Sequence, residues 1–99
     1  MGLIFRRSKN MKINNTTELK NALRNGPYAW PGGYPCYFVA DDGEALSFDA
    51  VRENYKSVLR AVREQDDDGW LVVGVEINYE DQDLYCVQSG KRIEPAYGE

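Results

Sequence analysis

The sequence predicts an α+β domain, a two-layer sandwich in which a mainly antiparallel four-stranded sheet carries two helices on one face, in the order αββαββ. Three observations carry this reading. Val51, Tyr55, Val58, Leu59 and Val62 follow the offsets 0, 4, 7, 8 and 11, the stripe of a helix buried along one side. Trp70 to Ile77 is a β-branched run that suits a central strand. Asp41-Asp42-Gly43-Glu44 separates two short apolar stretches with an Asp-Gly pair that favours a tight hairpin.

In chain order, Asn14, Asn15, Thr16 and Thr17 offer N-caps, and Glu18 stands three residues after Asn15 as in a capping box. Leu19, Ala22 and Leu23 mark one helical face before Asn25-Gly26 ends this first helix. The stretch Gly26 to Pro35 then holds three of the four prolines, three glycines and three aromatics. Gly opens backbone angles closed to other residues and Pro fixes φ while removing a donor. A shaped loop is expected here, neither helix nor paired strand, with Trp30 aimed inward and Tyr28 and Tyr34 displayed.

Cys36 to Ala40 and Ala45 to Phe48 read as the strands flanking the Asp-Gly turn. Ser47 or Asp49 caps the second helix, which Asp66-Asp67-Asp68-Gly69 terminates. Beyond the long strand lie Asn78 and the acidic Glu80-Asp81-Gln82-Asp83. Leu84-Tyr85-Cys86-Val87 is expected to return as a fourth strand, with a turn at Ser89-Gly90 and an edge continued by Lys91-Arg92-Ile93 before Pro95. Cys36 and Cys86 both fall in expected strands, where free thiols act as small hydrophobes, with a strained disulfide or a reactive thiol as the alternative.

Ninety-nine residues allow one domain with one core, expected over 15–99, with 1–14 as a flexible N-terminal extension. Met11-Lys12-Ile13-Asn14 reads like a natural bacterial start, which makes residues 1–10 an upstream extension or tail. The leading apolar run Gly2-Leu3-Ile4-Phe5 is too short for a signal peptide and precedes the positive charges, so the chain is expected to be cytoplasmic, with its cysteines reduced and no membrane partner. Net charge is −4, yet Arg6, Arg7 and Lys9 stand in the first ten residues; from Met11 onward nine basic residues face sixteen acidic ones. That balance disfavours general nucleic-acid binding and favours a protein partner.

With no histidine, Ser-His and Cys-His nucleophile pairs and most zinc sites are excluded. Glu76, Glu80, Asp81 and Asp83 cluster near the end of the long strand, where a solvated loop is the plainer reading than acid/base chemistry. Asp66-Asp67-Asp68-Gly69 lacks the ligand spacing of a calcium loop. No metal, cofactor or catalytic residue is therefore assigned. Arg52, Lys56, Arg60 and Arg63 recur along one face of the second helix and are the alternative site, for a phosphate chain; a charged stripe opposite an apolar one is also what a solvated face looks like. The acidic turns invite a reading as nucleic-acid mimicry, though Asp is common in turns for local hydrogen bonding. The residues assigned to a partner protein are Tyr28, Trp30 and Tyr34 of the aromatic loop with Glu80, Asp81 and Asp83, since Trp and Tyr are enriched at interface hot spots.

Gly26-Pro27-Tyr28-Ala29-Trp30-Pro31-Gly32-Gly33-Tyr34-Pro35, then Leu46-Ser47-Phe48, Gly69-Trp70, Asn78-Tyr79-Glu80-Asp81, Leu84-Tyr85-Cys86 and Ile93-Glu94-Pro95-Ala96-Tyr97, together resemble a family of small uncharacterised proteins of bacterial plasmids, integrative elements and phages. Relatives often carry Trp where this chain has Tyr79, and Asp-His where it has Val87-Gln88. A histidine at that place is absent here, which weakens an enzymatic expectation further. The resemblance implies a context: an accessory factor of a mobile element, with a host or element-encoded protein as partner, including inhibitors of host defence.

Overall fold

The computed structural model of the chain describes residues 11–29 and 33–96; Trp30 and the extension 1–10 lie outside the described residues. The elements are β1 (Met11–Lys12), α1 (Thr16–Asn25), β2 (Tyr28–Ala29), β3 (Tyr34–Ala40), β4 (Ala45–Leu46), α2 (Phe48–Glu53), α3 (Tyr55–Glu64) and β5 (Val72–Ile77). Every strand pair is antiparallel, and the sheet runs β1-β5-β3-β2 with β4 also on β3. Phe38 and Val39 pair with β5 on one edge and with β4 on the other. α2 packs on β3, α3 on β5 and α1 on α3, so the helices form one layer and the sheet the other.

Alternation places the core. Cys36, Phe38 and Ala40 of β3 and Val75 and Ile77 of β5 are buried beneath the helices, while Tyr37 and Glu76 stand on the outer face. The Phe38 and Phe48 rings meet with centroids 4.5 Å apart, and Leu19, Val51, Val58 and Val62 complete the interior. Burial of these side chains, at about 1.5–3 kcal/mol each, is what holds so small a domain together.

Local signals account for the element ends. Asn15 caps α1 by accepting the Glu18 N–H at 2.9 Å, and Glu18 reaches back to the Asn14 N–H at 2.7 Å. Ser47 caps α2 through its Oγ on the Ala50 N–H. The Ala40–Glu44 turn closes with the Gly43 N–H on the Ala40 carbonyl, and Gly43 takes a φ of 88°, which only glycine adopts freely. Gly74 has a different reason: a Cβ there would stand 3.1 Å from the Met11 carbonyl, so glycine lets β1 close on β5.

Four expectations are corrected. Tyr28 and Ala29 do pair, with Pro35 and Tyr34, so the ends of the aromatic loop form a hairpin. Pro35 is tolerated because the bond flanking its pair runs from the Cys36 N–H to the Pro27 carbonyl at 2.8 Å. On its other side Pro35 accepts from the Asn78 N–H, and the Asn78 carbonyl, which a proline cannot donate to, takes the Ala96 N–H at 2.9 Å instead.

The second helix is two helices, so the helices number three among the described residues. Asn54, at φ −116° and ψ 33°, breaks it, its amide Nδ2 bonding back to the Ala50 carbonyl at 2.9 Å beside its own N–H. The expected fourth strand at 84–87 reduces to a single Tyr85–Arg92 bridge, and Cys86 lies outside any strand. The Val87 N–H leaves that hairpin for the Ala45 carbonyl at 2.9 Å. Last, the sheet begins before residue 15: Met11 and Lys12 pair with Val75 and Gly74, and Ile13 is buried.

Candidate functional site

One end of the sheet opens a shallow cleft of about 180 Å³. Its walls come from three distant parts of the chain. Pro27, Tyr28, Pro35 and Cys36 arrive from the hairpin; Ser47, Phe48 and Asp49 from the start of α2; and Arg92, Ile93 and Glu94 from the C-terminal segment. The volume is below the ~300–1,000 Å³ of pockets that enclose small molecules. Its floor is apolar and its rim carries a phenol, two carboxylates and a guanidinium.

Tyr28 is 44% exposed, yet its hydroxyl donates to Glu94 Oε1 at 2.7 Å. That hydrogen bond, then the carboxylate's charge, then partial burial push the phenol above its ordinary pKa, so it stays a neutral donor. Arg92 gives its Nε to the Gln82 carbonyl at 2.9 Å. Across the hairpin it stands opposite Tyr85, which is 53% exposed. The flanking bonds, Cys86 N–H to Lys91 carbonyl and Ile93 N–H to Leu84 carbonyl, make this a pair without mutual hydrogen bonds, the closer kind, with both side chains on one face.

Behind the cleft, Ser47 also reaches the Cys86 thiol. Burial pushes that thiol up, but hydrogen bonds from the Ser89 hydroxyl, the Ser47 and Ser89 main chain and the Ser47 hydroxyl together draw it down to about 7. Cys86 is only 1% exposed, so this group is an internal acceptor, not a surface nucleophile. Cys36 is buried too, and both thiols are free. Among the described residues, no group of three or more Cys, Asp or Glu is placed to hold a metal ion.

The other residues assigned from sequence divide. Tyr34 is partly buried, its ring edge-on to Tyr79 at 5.6 Å and 61°, so it packs more than it displays. Glu80, Asp81 and Asp83 are exposed on a loop set by Asn78, which is 3% exposed. The Asn78 amide donates to the Asp81 and Ile93 carbonyls at 3.0 and 2.9 Å and accepts the Asp81 N–H at 3.0 Å. Asp81 in turn accepts the Asp83 N–H at 2.9 Å. Of these carboxylates Asp81 helps shape the turn at the end of β5, and none of the three lines the cleft.

The basic row is largely occupied. Arg52 donates to the Leu23 carbonyl at 3.3 Å and lies 5.8 Å from the Phe48 ring. Arg60 faces Glu64 and Asp66 at 3.7 and 3.8 Å, and Arg63 faces Glu64 at 3.4 Å; Lys56 is exposed. Sequence reasoning missed Arg92, Glu94 and Asn78 as members of any site. The Tyr28–Glu94 pair spans 66 positions, so no local pattern announces it. Comparison with protein-family models, curated proteins and solved structures finds no match for this chain.

Proposed function

We propose that the protein is a small acidic, non-catalytic binding module that docks a partner protein on the lip formed by Tyr28, Arg92 and Glu94. The observation that carries this is Tyr28, 44% exposed and held by a 2.7 Å bond to a residue far along the chain. An exposed aromatic fixed in place loses little freedom on binding, and Tyr and Arg are enriched among residues that dominate interface energies. The resemblance to proteins of mobile elements supplies the context, an accessory factor whose partner belongs to a host defence or nucleic-acid-processing complex. Direct nucleic-acid binding through Arg52, Lys56, Arg60 and Arg63 is the weaker reading, because three of those side chains already have partners within the chain.

Site-specific photocrosslinking tests the proposal. The chain carries p-benzoylphenylalanine in place of Tyr28 or, separately, of Lys56, and is irradiated in lysate of the bacterium that bears the gene. A discrete protein adduct at position 28 and none at position 56 is expected. Adducts only at position 56, or to nucleic acid, would overturn it.

A further inference from the structure

The chemistry of the cleft narrows the partner. Resting on the binding reading above, we infer that the cleft receives a single lysine or arginine side chain from an extended segment of the partner protein, its aliphatic stem on the apolar floor and its cationic head met by Asp49 and Glu94. Four observations support this occupant. Pro27, Pro35, Phe48 and Ile93 give the walls an apolar character suited to a methylene stem. The Asp49 carboxylate makes no hydrogen bond or ion pair among the described residues, and one oxygen of Glu94 remains beyond the one that Tyr28 occupies. The single positive group of the lining, Arg92, has its Nε held by Gln82, which leaves two carboxylates against one guanidinium. The charge of the whole body agrees, with nine basic against sixteen acidic residues from Met11 onward.

The size of the cleft sets the stoichiometry. A volume of about 180 Å³ takes one long side chain, not a folded element. Tyr28 on the lining offers an aromatic flank to the residues next to it, and the exposed Tyr85 stands beside Arg92 outside the lining. Phenol faces attract cations as well as apolar groups, so the Tyr28 flank reinforces the same selectivity.

The test uses the full chain labelled with ¹⁵N and four small probes: the N-acetyl methylamides of arginine, lysine, norleucine and glutamate. Amide shifts at Tyr28, at Ser47 to Asp49 and at Ile93 and Glu94 are expected with arginine and lysine, and much smaller ones with norleucine and glutamate. The double variant Asp49→Asn/Glu94→Gln, which keeps shape and removes both charges, should bind the cationic probes roughly fivefold more weakly, the scale for two exposed ion pairs. Equal response to norleucine or glutamate would overturn the inference. So would cationic shifts confined to the acidic turns at 66–68 and 80–83, no shift up to the solubility limit, or cleft shifts that appear on concentrating the protein alone, which would mean that a second copy fills it. If position 28 crosslinks a partner while the cationic probes fail, the binding module stands and this occupant falls.

Discussion

Two polar clusters flank the same hairpin, and they differ in what surrounds them. At the β5 end, Asn78 is 3% exposed and saturated, its amide bonded to Asp81 twice and to Ile93. At the cleft, Tyr28 is 44% exposed and makes one bond, to Glu94. Ile93 and Glu94 are neighbours, so one short segment serves both, with its main chain turned to Asn78 and a side chain turned to Tyr28. A buried polar group that fills all its bonds fixes a fold, because any change strands partners away from water. An exposed ring with a single anchor contributes little to folding and is available to something else.

The sharpest way to break this comparison is Asn78→Ala. It strands the Asp81 N–H, the Asp81 carbonyl and the Ile93 carbonyl, which should cost about 3 kcal/mol and lower Tm by roughly 15 °C in a domain of this size. Urea and thermal unfolding measure it; a loss under about 1 kcal/mol would mean that the cluster does not hold the C-terminal segment. Next in size is Gly74→Ala, whose Cβ would meet the Met11 carbonyl at 3.1 Å. It should cost about 1 kcal/mol and, more tellingly, speed hydrogen exchange at Ile13, whose N–H bonds the Val73 carbonyl at 2.9 Å. Unchanged exchange would show that β1 is not secured through Gly74.

A smaller effect concerns pH on the outer face of the sheet. Burial first, then the charge of Glu76, its 3.3 Å hydrogen bond and the charge of Asp81 push the Tyr37 phenol up to about 12. Unfolded, the same phenol titrates near 10, so between those values the unfolded chain has already lost a proton that the folded one keeps. The stability contributed is complete below pH 10 and disappears as pH rises through about 12. Tyr37→Phe should flatten the alkaline fall in stability over that window, as read by urea unfolding at stepped pH; an unaltered slope would assign the fall to other groups.

Patterns short in sequence were the readable ones. The Asn15 cap, the Ser47 cap, the Asp-Gly turn and the stripe through Val51, Val58 and Val62 each depend on residues within one or two turns of each other. The misses came from bonds made elsewhere. Asn54 splits a helix that the apolar stripe alone would continue, because its side chain competes for the Ala50 carbonyl. Residues 84–87 have strand composition, but the Val87 N–H finds Ala45 instead of a partner across the hairpin. Pro35 sits in a strand since the Asn78 carbonyl, which its missing N–H would have served, takes the Ala96 N–H instead. Of the site, Tyr28 was legible as a loop aromatic; Glu94 and Arg92, which make it a site, reach it only through the fold.

The central claim is that Tyr28 serves binding and not folding, and Tyr28→Ala tests it most directly once the partner crosslinked at that position is purified. Melting curves and partner titrations are run on the same preparation. Tm should move by no more than a few degrees, since substitutions at exposed positions stay within about 0.5 kcal/mol. Affinity should fall by about 2 kcal/mol, roughly thirtyfold, the scale of a hot-spot residue. Unchanged affinity, or a melting loss approaching that of Asn78→Ala, would contradict the account.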